Sequence, residues 1–64
     1  MDEMVKFWFQ ILYEKEIEDA KVNISNEHLW ELGYDGEDPN PHTENIERLK
    51  AYIESLTEKL EELQ

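Results

Sequence analysis

The side chains able to do chemistry in this sequence are two histidines, two serines and a large excess of carboxylates. His28 and His42 stand apart, neither in a zinc-protease spacing nor beside a second nitrogen or sulfur ligand, and the chain has no cysteine to supply a thiolate. Both read as ordinary helix-surface residues. Asp35, Glu37, Asp38 and Asn40 gather oxygens as calcium loops do. Counted from Asp35, however, the sixth position is Asn40 where an EF-hand needs glycine, and the twelfth is Ile46 where it needs an acid. Glu14/Glu18 and Glu54/Glu58 are carboxylate pairs, but acid and base work needs a pocket that perturbs one member. Ser25 and Ser55 have no base at a motif spacing, and no glycine-rich phosphate loop is present. The expectation is a protein that is not an enzyme and uses no cofactor and no metal.

Charge points toward binding. Seventeen Asp and Glu against six Lys and Arg give −11 in 64 residues, which disfavours nucleic acid and anionic membranes as direct ligands. From Tyr13 to Asp38 nine acids face Lys15 and Lys21, a net of −7, whereas Thr43 to Gln64 carries six acids and three bases, a net of −3. Such a surface either keeps a small apolar oligomer soluble or meets a basic surface on another protein, as DNA-mimicking inhibitors do. Glu31, Asp35, Glu37 and Asp38, with Trp30 and Tyr34, form the candidate acidic and aromatic surface for such a partner.

The elements that would carry these residues fall into three blocks of one small domain spanning residues 1–64. In the first, Val5, Phe7, Phe9, Ile11 and Tyr13 alternate with Lys6, Trp8, Gln10 and Leu12, a period of two rich in aromatic and β-branched types. A helix there would spread apolar residues around most of its circumference, more than one short chain can cover. The pattern predicts a strand, pairing with a second over about 18–24 where Ala20, Val22 and Ile24 alternate with Lys21 and Asn23, although no turn dipeptide joins them. Asp2, Glu3 and the helix formers from Glu14 to Lys21 keep a helical alternative open.

The second block predicts a short helix over Asn26 to Leu32, capped by Ser25, stapled by Ile24 and Leu29, and stopped by a left-handed Gly33. An acidic, proline-bounded linker occupies 35–41. The third block is a helix over 42–63, with Asn40 before Pro41, or Thr43, as its cap. Ile46, Leu49, Ile53, Leu56, Leu60 and Leu63 step 3, 4, 3, 4, 3, the rhythm of a coiled-coil seam. With about two and a half heptads, the same stripe could instead pack on the chain's own aromatic block.

The fold expected is α+β: an N-terminal β-hairpin, a short capped helix and a long amphipathic C-terminal helix, with an all-α helical dimer as the alternative. The six seam residues are the expected interface of a homodimer. The function expected is that of a small acidic protein-interaction module, regulatory or inhibitory. In its sharper form it occupies the basic site of a nucleic-acid-binding protein, and its small size and acidic charge are those expected of a product encoded by a phage or mobile element. The alternative is an assembly subunit pairing through its last helix. With an acidic start and no apolar run long enough for a membrane span, the chain reads as cytoplasmic.

Overall fold

A computed structural model describes residues 2–64 as two long helices, α1 (Glu3–Gly33) and α2 (Pro41–Leu63). A connection over 34–40 turns the chain back so that α2 runs antiparallel along α1, giving a rod 52 × 15 × 11 Å. At 1.5 Å per residue α1 is about 46 Å long and α2 about 35 Å, so α1 outruns its mate.

The N-terminal β-hairpin is therefore corrected: among the described residues there is no strand, and the all-α alternative is the one that matches. The short helix over 26–32 is likewise the last two turns of α1 and not a separate element. Helix prevails because nothing between Asp2 and Leu32 interrupts it; the stretch holds neither glycine nor proline. Asp2 starts it properly, its carboxylate accepting from Met4 N–H at 2.8 Å, with Glu3 in the positively polarised first turn. Two strands at this spacing would have needed a tight turn, and Glu14 to Lys21 offers only helix formers. Ser25 consequently caps nothing; its hydroxyl donates back to the Lys21 carbonyl at 3.3 Å, the usual arrangement of a mid-helix serine.

The stop at Gly33 is real, but no described glycine has positive φ. Tyr34 follows in extended backbone (φ −78°, ψ 126°) while its N–H still donates to the Glu31 carbonyl at 3.3 Å. Gly36 then lets the Tyr34 ring fold back over it, since a β-carbon there would run into the phenol. Asn40 opens α2 with Pro41 at the first helical position, where a missing N–H costs nothing.

The core is the seam between the helices. On α1 the residues shielded from solvent are Lys6, Gln10, Tyr13, Ile17, Ala20, Ile24, Glu27 and Glu31, stepping 4-3-4-3-4-3-4. Against them lies α2 with the six seam residues foreseen in the sequence, all buried or half-buried. Alternating steps of three and four keep one stripe of each helix on its neighbour, the geometry of a two-stranded antiparallel coiled coil. The core is thin: Ala20 at 3%, Ile46 at 3% and Leu56 at 4% exposure are its only fully buried residues among those described.

Candidate interaction surface

Polar side chains fasten the connection end of the hairpin. Asn40 uses both ends of its amide, Oδ1 accepting from His42 N–H and Nδ2 donating to the Glu31 carbonyl, each at 3.0 Å. The cap of α2 thus also satisfies a carbonyl of the last turn of α1. His42 donates from Nδ1 to Glu27 Oε2 at 2.6 Å, a charge-assisted distance, and Asn45 Nδ2 donates to the same oxygen at 3.3 Å. Those donors, His42 first, hold the Glu27 carboxyl below the ordinary glutamate value. Glu31 is lowered too, chiefly because the Thr43 hydroxyl donates to Oε2 at 2.6 Å, with His28 Nδ1 at 3.3 Å from Oε1. Trp30 stacks on the His42 imidazole at 6.3 Å between ring centres, and Tyr34 meets it edge-on at 6.5 Å. Farther along, the Tyr52 hydroxyl donates to Glu16 Oε2 at 2.8 Å, and the carboxylate beside it pushes the phenol pKa up.

These contacts divide the sequence-derived candidates. Glu31 is a clasp between the helices, half-buried and committed to Thr43 and His28. Tyr34 is half-buried at the end of α1, whereas Trp30 lays one face on His42 and keeps the rest exposed. Asp35, Glu37 and Asp38 are exposed in the connection, beside the clasp. Ile46, Leu49, Ile53, Leu56, Leu60 and Leu63 face α1, so within one chain the interface proposed for a second copy is laid against the first helix. An open groove of about 480 Å³ runs between the helices near the clasp, lined by Asn23, Asn26, Glu27, Trp30, Asn45, Arg48 and Leu49.

Sequence reasoning did not foresee Glu27, Asn45 and Glu16 as cross-helix partners. Each lies 15 or more residues from the group it meets, and only the register of the hairpin pairs them. The exposed side of α1 is what the helical alternative implied, a helix with more apolar surface than one short chain covers: Met4, Phe7, Trp8, Leu12, Leu29 and Leu32 are all open to solvent. Single exposed apolar residues are unremarkable, but here six large ones lie exposed on a single helix.

The carboxylates cover most of what remains. Among the described residues only Asp19, Glu18 and Glu44 meet a lysine or arginine, at 3.4, 4.0 and 2.6 Å, and all three pairs are solvent-exposed. Two further acids, Glu27 and Glu31, meet histidines. No three or more His, Asp or Glu side chains among the described residues are grouped to hold a metal ion, and no described helix is long and apolar enough to cross a membrane. Comparison of the chain with family models, curated proteins and solved structures gives no match.

Proposed function

We propose that the protein is a non-catalytic interaction module whose acidic helical surface engages a basic surface on another protein. The observation that carries this reading is the lack of internal neutralisation: of seventeen acids, three of those described meet a lysine or arginine. The field of the others is left to act outward from a narrow rod, which speeds encounter with a positive surface and rejects negative ones. Asp35, Glu37 and Asp38 concentrate it at the connection end, where Trp30 offers an aromatic anchor and the clasp fixes the backbone that carries them. A nucleic-acid-binding site is the basic surface that fits most specifically, because carboxylates can stand in for phosphates.

The immobilised full chain, exposed to extract from the cell that makes it, should retain a basic nucleic-acid-binding protein. Duplex DNA or RNA should elute that protein, and raising salt from about 0.1 to about 0.5 M should release it. The double variant Glu37→Lys, Asp38→Lys should retain far less. A complex that survives high salt and ignores those two substitutions would overturn the reading. The structural alternative, in which α2 pairs with a larger coiled coil, would have to use a seam that α1 occupies.

A further inference from the structure

The longest stretch of the sequence without an acid runs from Met4 to Tyr13, and fifteen of the seventeen carboxylates follow it, from Glu14 onward. Its one charged residue, Lys6, lies with Gln10 on the half-buried stripe that meets α2. The opposite side of these turns is therefore uncharged. Met4, Val5, Trp8, Ile11 and Leu12 lie within about 60° of one line along it, with Phe7 and Phe9 flanking them. All seven are exposed, Met4 at 69%, Trp8 at 59% and Leu12 at 52%.

About Trp8 the order of side chains reads alike in both directions. Phe7 answers Phe9, Lys6 answers Gln10, Val5 answers Ile11 and Met4 answers Leu12, each pair equally far from Trp8. Two copies of α1 laid antiparallel about a two-fold axis at Trp8 bring together the members of each such pair, one from each copy. Met4 meets Leu12 of the second copy, Val5 meets Ile11, and the two Trp8 rings meet on the axis, so apolar faces apolar across the whole contact. Moving the axis by one residue toward either end sets Glu14 against Met4 or Glu3 against Ile11. Parallel pairing would run the acidic lengths side by side, Glu18 beside Glu18, whereas the antiparallel pair overlaps only about the first third of each α1 and carries its other acids apart. Glu61 and Glu62, at the end of α2, stand behind α1 on the side away from the second copy. The seven side chains expose roughly 700 Å² per copy, so even partial cover by two copies clears the ~1,000 Å² in total that a specific interface needs. Association also answers the thin core, since domains this small usually depend on disulfides, metals or a second chain, and this one has no cysteine.

From the symmetry of this acid-free face we infer that it is covered by the same face of a second copy, the two α1 helices lying antiparallel about Trp8 in an elongated dimer with its acidic connections at opposite tips. Trp30 and the connection lie about 30 Å along the rod from the contact and stay free, so the inference stands without the basic-partner reading.

Sedimentation equilibrium of the full chain should give twice the mass of one chain at roughly tens of micromolar. Small-angle X-ray scattering should give a longest dimension of roughly 85 Å, against 52 Å for one rod. Trp8→Glu sets two acids together on the axis and should weaken association by about tenfold or more, while circular dichroism stays that of wild type because Trp8 lies away from α2. Met4→Lys and Leu12→Glu should each weaken association by about tenfold, and the double variant, in which each new lysine meets a new glutamate, should bind at least about threefold more tightly than either. A helical chain still monomeric at about 100 µM would overturn the inference. The face would then belong to a lipid surface, which binding to phosphatidylcholine vesicles would reveal, or to another protein. A dimer no longer than one rod would also overturn it, and so would a double variant that binds more weakly than both single ones, the mark of parallel pairing.

Discussion

The clasp at the connection end rests on a few named atoms, and Glu27 is the residue through which acid reaches it. Its folded carboxyl titrates below the ordinary value of 4.5 because His42 and Asn45 donate to it. Between that lowered value and 4.5 the unfolded chain binds the extra proton, so stability rises with pH there. The contribution of Glu27 is complete above 4.5 and is lost as pH falls through the folded value. Thermal unfolding of wild type and Glu27→Gln followed by circular dichroism should therefore show a gap in Tm at pH 6 to 7 that narrows as pH falls below 4.5 and through the lowered folded value. A gap unchanged at acid pH would mean that the carboxylate is not what the histidine and asparagine hold. Nothing in local sequence announced this residue, because Glu27 on a helix of unknown register is one acid among seventeen.

At the scale of the helix, the two elements differed in how plainly their composition spoke. α2 could be read directly: Asn40 and Pro41 mark its start and six aliphatic residues keep an unbroken seam between polar flanks. α1 could not, for two physical reasons. Its inward stripe has Lys6 and Gln10 at one end and Glu27 and Glu31 at the other, so polar residues hide the heptad that α2 displays. Its first three turns are apolar around most of their circumference, and residues apolar in so many directions satisfy a period of two as readily as one of 3.6. The uninterrupted run from Asp2 to Leu32 was the signal that separated the two. Close approach of the helices depends on Ala20, whose methyl is buried at 3% exposure. Ala20→Leu should force them apart and cost about 1–3 kcal/mol, and Leu56→Ala should cost about 2–5 kcal/mol by opening a void. Denaturant titration would measure both; an Ala20→Leu protein as stable as wild type would show that the inner seam is loosely packed.

For the whole molecule, a net charge of −11 on a rod only 15 × 11 Å across means that acids on both helices repel one another through little intervening protein. Screening relieves that repulsion, and the three exposed ion pairs that salt also weakens are each worth well under about 1 kcal/mol. The Tm should therefore rise from low salt to about 0.5 M sodium chloride, and a fall would show that attractive pairs dominate the surface. Salt that strengthens the folded hairpin should at the same time weaken its hold on a basic target. There is also a matter of timing in the chain's two unequal arms. During synthesis all of α1 precedes any of α2, and at about 5–20 residues per second its inner stripe waits a second or more for the arm that will cover it. Through that interval the residues of α1 that α2 will cover, Ile17, Ala20 and Ile24 among them, have no partner within the chain.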